Sequence, residues 1–208
     1  MGLINWSIAK LYDPFMRSVE KNCLGAWRQE LLSGLDGNVL EVGAGTGVNL
    51  DHYPAGISEL VLTEPDRHMR ARLSPKLVNL PIPHRVIDTA AEQLPFADAS
   101  FDAAVVTLVL CSVNHPEKSL DELYRILKPG GKLVLLEHVV DPDSLTVKRW
   151  QHRIEPLWKC CAGNCHLTRD TLSALQVAGF DTENIRRDRM RGAPALFAPL
   201  ILGIAEKG

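Results

Sequence analysis

One stretch constrains the fold more than any other: Val39-Leu40-Glu41-Val42-Gly43-Ala44-Gly45-Thr46-Gly47. An apolar run enters it, a glycine-rich turn leaves it, and Val48 to His52 is expected to open a helix. Strand, tight turn and helix bring bare backbone close to a nucleotide-like ligand. The spacing is G-x-G-x-G rather than the G-x-G-x-x-G of dinucleotide binders. Glu41, just before the first glycine, suits a cationic amine better than a pyrophosphate.

A second apolar run, Leu60-Val61-Leu62-Thr63, ends in Glu64-Pro65, with Glu64 lying 23 residues beyond Glu41. An acid about 20 residues past such a fingerprint accepts from the two hydroxyls of a ribose. The alternative is a glycine turn in an ordinary α/β domain with Glu64 facing solvent. The paired acids and the glycine turn resemble the class I S-adenosylmethionine (SAM) methyltransferases.

The chain has 208 residues and is 46% hydrophobic, enough for one domain spanning 1–208 with a normal core. A net charge of −2 leaves no electrostatic footprint for nucleic acid. Arg186, Arg187, Arg189 and Arg191 are interrupted by Asp188 and read as a solvated edge. The N-terminus lacks the pattern of a signal peptide or a myristoylation site. The apolar tract from Ala193 to Ala205 is short and holds Pro194 and Pro199, so it does not read as a membrane span. Five cysteines, an odd number, fit reduced thiols and a cytoplasmic setting.

Residues 1–34 read as a helical lid, with Ile8, Leu11, Phe15 and Val19, then Leu24, Trp27, Leu31 and Leu32, at helical spacing. Pro14 is expected to divide it into two short helices. Arg17, Glu20, Lys21, Arg28 and Glu30 fit an ordinary lid, and membrane contact is not favoured. Beyond Glu64, strands at His84–Ile87, Ala103–Leu110 and Lys132–His138 alternate with helices after Pro65-Asp66 and over His115–Leu127. Segments 184–190 and 196–205 read as an antiparallel hairpin. The expected architecture is an α/β, doubly wound, Rossmann-like seven-stranded sheet, mostly parallel with an antiparallel C-terminal hairpin.

Leu94-Pro95-Phe96, Ser100-Phe101-Asp102 and Leu127-Lys128-Pro129-Gly130-Gly131 resemble the ubiquinone-type branch of the SAM methyltransferases. Three further segments are similar to the alkyl-thiol S-methyltransferases of the methyltransferase-like family: Thr107 to Val113, Glu137-His138-Val139, and Trp150 through Trp158 to Cys165-His166-Leu167-Thr168-Arg169. Residues 141–168 read as a substrate-side insertion. Departures from the family pattern are His166 in place of Asn and no hydrophobic N-terminal anchor.

The resemblance implies SAM as cofactor and methyl transfer to the sulfur of a small thiol: hydrogen sulfide, methanethiol or an alkyl thiol. Its cofactor residues would be Glu41, Gly43, Ala44, Gly45, Gly47 and Asn49 at the turn, Glu64 and Pro65 at the ribose, Ala91 and Glu92 at the adenine, and Thr107 and Leu108 on the far side. In-line transfer from a sulfonium needs alignment and exclusion of water, not a metal. A thiol with a pKa near 8.5 is already partly thiolate at neutral pH, so a nearby donor or cation suffices. His138, His166 and Arg169 are the candidates. His138 could instead hold the loop, and His166 could lie on the surface. Cys111, Trp150 and Trp158 would line the substrate pocket, with core packing the alternative for the tryptophans. The sequence spacing of Cys160, Cys161 and Cys165 supplies no zinc knuckle, and they read as buried small hydrophobes. A lipid-amine or quinone methyltransferase is the rival reading, followed by an arsenite methyltransferase and a SAM-binding module without activity.

Overall fold

The computed structural model describes residues 2–208, with side chains from residue 9 onward. In order, the elements are α1 (Gly2–Val19), a π turn (Glu20–Leu24), α2 (Gly25–Leu32), β1 (Gly37–Val42), a 3₁₀ turn (Leu50–His52), β2 (Ile57–Thr63), α3 (Arg67–Leu77), β3 (His84–Ile87), β4 (Phe101–Thr107), α4 (Pro116–Ile126), β5 (Leu127–His138), α5 (Leu145–Cys161), α6 (Thr171–Val177), β6 (Phe180–Asp181), β7 (Ile185–Arg189) and β8 (Pro199–Lys207).

The sheet runs β3-β2-β1-β4-β5-β8-β6. The first five strands are parallel, and β8 lies antiparallel to β5. Eight strands fill seven lanes, because β6 and β7 pair successively along the same edge of β8. The expected doubly wound sheet and C-terminal hairpin are both present.

Central strands read as unbroken apolar runs because both faces of a parallel sheet are covered. Alternation divides them. Val39, Leu60, Leu62, Val105 and Leu136 pack with Leu24, Trp27, Leu32 and Leu73 on the face of α1–α3. Leu40, Val42, Val61, Val106 and Leu135 pack with Leu120, Leu123, Ile126 and Leu175 of α4 and α6. Each fully buried leucine contributes roughly 1.5–3 kcal/mol.

The N-terminal segment departs from its expected form twice. The chain stays helical through Pro14, and the interruption is the π turn at Glu20–Leu24, closed by the Gly25 N–H donating to the Glu20 carbonyl. A Cβ on Gly25 would stand 3.0 Å from that oxygen, so glycine permits the turn. The inward face of α1 carries Ala9 and Met16, whereas Leu11 and Phe15 are exposed. The apolar stripe is thus one residue, about 100°, away from the face that packs. The expected Ile8 contact lies outside the described residues. Among the described residues no helix is long and apolar enough to cross a membrane.

Candidate active site

The carboxyl ends of β1, β2, β4 and β5 form one rim, where open α/β sheets bind ligands. β1 ends at Val42, and Gly43 turns the chain at φ +68°. A Cβ there would lie 2.6 Å from Val109 Cγ2, so glycine lets the turn pack against the loop after β4. At Gly45, φ +56°, a Cβ would meet only the Gly43 carbonyl oxygen, at 4.0 Å. The Ala44 N–H donates to Thr63 O at 2.9 Å and ties the turn to β2. Only the 3₁₀ turn follows, not the expected helix.

Glu64 sits at the end of β2, 7% exposed. Its carboxylate accepts from the Gly45 and Asp66 amides, each at 2.8 Å. Burial pushes its pKa up, against the pull of those two amides. Pro65 beside it is exposed. Ala91 is buried, and Glu92 accepts from the Asn114 and His115 amides at 2.8 and 3.2 Å, capping the start of α4. Leu108, at φ +60°, is a left-handed non-glycine residue at the end of β4. Backbone strain of this kind collects at functional rims.

Behind the glycine turn lies a buried polar network. Glu41 is 2% exposed and accepts from Asn49 Nδ2 at 2.8 Å and from the Tyr53 hydroxyl at 2.9 Å. Burial raises its pKa to about 7. Asn49 accepts from Arg28 Nη1 at 2.6 Å, and the same nitrogen donates to Thr107 Oγ1 at 2.9 Å. Arg28 also forks onto both oxygens of Glu20 at 3.2 and 3.0 Å. Residues eight apart on an unbroken α-helix are about 80° out of line; the extra residue of the π turn takes up that offset. Arg28, expected as one of the charges of an ordinary lid, is 1% exposed. Its spacing with Leu24, Leu31 and Leu32 placed it on the inward stripe, the signal that could have found it.

Past Thr107 the loop is held from below. Glu137, wholly buried, accepts from the amides of Val109, Leu110 and Cys111 at 2.7, 3.0 and 3.1 Å. Arg169 donates to the carbonyls of Leu110 and Val113, so it braces this loop. The His166 N–H donates to Cys111 O at 2.7 Å, while its ring meets Glu155 at 3.2 Å. Asp170 caps α6, its side chain accepting from the Ser173 N–H.

These ties bring Cys111, His138 and Cys165 together, their donor atoms all within 4.8 Å of one another. His138 Nδ1 is 3.6 Å from Cys165 Sγ, and His138 Nε2 is buried with no hydrogen-bond partner. The neighbouring Cys165 thiol and burial push Cys111 up, and the neighbouring Cys111 brings Cys165 down. Cys111, Cys165 and Leu167 pack with Trp158, Ile154 and Phe197; the Trp158 and Phe197 rings stack at 4.1 Å. Trp150 lies elsewhere, 48% exposed with Arg153 over its ring at 5.3 Å. Gln151 takes the inward position on α5, donating to Val139 O and Leu196 O and accepting from the Asp141 N–H. Cys160 and Cys161 are exposed, contrary to expectation, because they fall on the outer side of the last turn of α5. A cleft of about 970 Å³, lined by Asp13, Met16, Glu20, Gly47 and Tyr53, opens beside α1 and does not include Glu64, Cys111 or His138.

Sheet order, the glycine turn and the rim acids define a SAM-dependent methyltransferase. The methyltransferase-domain family model matches residues 40–135, and that of the N-terminal region of anamorsin matches residues 90–190. Human thiol S-methyltransferase TMT1B is 38% identical over 195 residues, covering 86% of this chain and 80% of its own; human TMT1A is 30% identical over 221 residues, covering 100% and 90%. The chain belongs to this family of SAM-dependent methyltransferases. A solved structure from Thermotoga maritima, a SAM-dependent methyltransferase described as a possible histamine N-methyltransferase, matches with a TM-score of 0.69 at 21% identity, covering all of both chains, and shares the fold.

Proposed function

We propose that this methyltransferase acts on the sulfur of a small thiol, such as hydrogen sulfide, methanethiol or an alkyl thiol, and releases S-adenosylhomocysteine. The observation that carries the reading is the unpartnered, buried Nε2 of His138 beside the sulfur- and indole-lined wall of Cys111, Cys165 and Trp158. A buried polar atom left unsatisfied costs about 1–3 kcal/mol. With Nδ1 accepting, Nε2 carries the proton and offers one donor to an acceptor sulfur. The names of the curated relatives support the same chemistry.

In this reading Glu64 turns from the Gly45 amide to the ribose hydroxyls, and the Gly43–Gly47 backbone lies along the methionine part of SAM. Glu41 and Asn49 stand behind the amine, Ala91 and Glu92 flank the adenine, and Thr107 and Leu108 close the far side. Residues 1–34 form the lid and residues 141–168 supply the acceptor wall. The sulfur attacks the methyl carbon in line; one S–C bond forms as the sulfonium C–S bond breaks, and the thiol proton leaves to solvent. His138 donates to the developing thiolate, which needs little base catalysis. Arg169 and His166 act at one remove, holding the loop that carries Cys111.

The test is S-adenosylhomocysteine release over a panel of sulfide, methanethiol, a longer alkyl thiol, a quinol, a phosphatidyl amine and arsenite. Turnover confined to the thiols is the expected result. Turnover on the quinol or the lipid amine alone overturns the thiol assignment.

A further inference from the structure

We propose that Cys111, His138 and Cys165 form a zinc site joining the loop after β4, the end of β5 and the segment before α6. No two of the three residues are close in sequence, which is why ligand spacing along the chain does not reveal the site. Two observations carry it. The first is distance. Ligands on a tetrahedral zinc at about 2.3 Å (S) and 2.0 Å (N) stand roughly 3.6 Å apart, and two such sulfurs about 3.8 Å. His138 Nδ1 and Cys165 Sγ are 3.6 Å apart, and one ring nitrogen of His138 and the two sulfurs all lie within 4.8 Å of one another.

The second observation is the burial of all three donors. Cys111, His138 and Cys165 are 1%, 8% and 6% exposed, so two thiols and an imidazole face one another away from solvent. One imidazole nitrogen takes a proton and the other a lone pair, so a cation on Nδ1 fixes the proton on Nε2. The surroundings are rigid. Glu137 holds the Cys111 amide, the Cys111 carbonyl accepts from His166, and Arg169 spans the Leu110 and Val113 carbonyls. Ligands fixed by such outer contacts need little rearrangement to close on an ion.

Two sulfurs and one imidazole select a soft or borderline cation over magnesium or calcium. Binding of Zn²⁺ by two thiolates and a neutral imidazole releases two thiol protons to solvent. Three protein ligands leave one zinc position for water or an incoming thiolate. The site rests on these side chains alone, whichever acceptor the enzyme takes.

The test is the metal content of the full-length protein, purified without chelators and reloaded with Zn²⁺ or Co²⁺. Expected are about one ion per chain and, with cobalt, thiolate-to-metal charge-transfer absorption. Cys111→Ser and Cys165→Ser should each abolish that absorption, while Cys160→Ser and Cys161→Ser leave it unchanged. X-ray absorption at the zinc edge of the unaltered protein gives a reading independent of how the variants fold, with two sulfurs near ~2.3 Å and a nitrogen near ~2.0 Å expected. Substoichiometric zinc after reloading, or a zinc edge without sulfur neighbours, overturns the proposal. So does charge-transfer absorption that survives both serine substitutions.

Discussion

Arg28 on α2 donates to Thr107 at the end of β4, 79 residues further along the chain. The N-terminal helices and the strand-end rim therefore share one buried guanidinium, which also holds Asn49 and Glu20. Removing one partner of a buried ion pair costs about 3–5 kcal/mol, and partial exposure of Glu20 puts this pair at the lower end. Arg28→Ala should lower Tm by roughly 6–12 °C in a domain of this size and weaken SAM binding. Arg28→Lys should not rescue either effect, since lysine lacks the planar fork. Thermal unfolding and calorimetric SAM titration check both.

Glu64→Gln tests the ribose contact. The side-chain amide keeps the shape but presents NH₂ towards the Gly45 and Asp66 amides or the ribose. Loss of charge-assisted hydrogen bonds of about 1.5–3 kcal/mol corresponds to SAM affinity weakened roughly 10- to 100-fold. Titration calorimetry should show this with the circular dichroism unchanged.

Two glycines separate packing from access. Gly43→Ala meets both a positive φ and Val109 Cγ2, costing about 2–4 kcal/mol. Gly45→Ala meets the strained φ but only an ordinary contact, Gly43 O at 4.0 Å, costing about 1–2 kcal/mol, while placing a methyl in the proposed ligand's approach. Tm should fall more for Gly43→Ala, and SAM affinity should fall beyond its stability cost for Gly45→Ala.

Glu41 gives the protein a pH dependence of known sign. Its folded pKa of about 7 lies above the ordinary carboxylate value of 4.5 because burial disfavours the charge. The folded state therefore holds the proton more tightly, so this group's stability is full below the ordinary value and is lost as pH rises towards 7. The loss is on the order of 3 kcal/mol. Glu41→Gln should flatten that slope, which urea denaturation at pH 5 and pH 7.5 reads directly.

Arg169 is a positioning residue, bracing two carbonyls of the loop that carries Cys111. Arg169→Ala should raise KM for the acceptor and lower kcat, with SAM affinity within about twofold, because the loop rather than the cofactor turn loses its brace. Arg169→Lys should recover part of kcat, since one ammonium can reach one carbonyl.

Much of this was legible along the chain. Apolar runs and breakers placed β1, β2, β4 and β5, and the glycine turn and Glu64 meet at the strand ends as their spacing suggested. Periodicity misjudged the first helix because Leu11 and Phe15 repeat as regularly as Ala9 and Met16 but face solvent. The side chain of Trp150 was expected in the pocket, yet Gln151 holds the inward position through three hydrogen bonds that composition does not reveal. The Arg28 fork depends on a π turn that no residue preference announces. Cys111, His138 and Cys165 come from three rim segments, so their meeting is a property of the sheet order rather than of any motif.

Transfer of a labelled methyl group tests the central claim most directly. The enzyme is given trideuteromethyl SAM and an alkyl thiol, and the product is read by mass spectrometry. The expected result is a thioether carrying the trideuteromethyl group, formed one for one with S-adenosylhomocysteine and depressed in His138→Ala. S-adenosylhomocysteine without labelled thioether, or the label recovered only on a quinol or lipid amine when these are supplied, would contradict it.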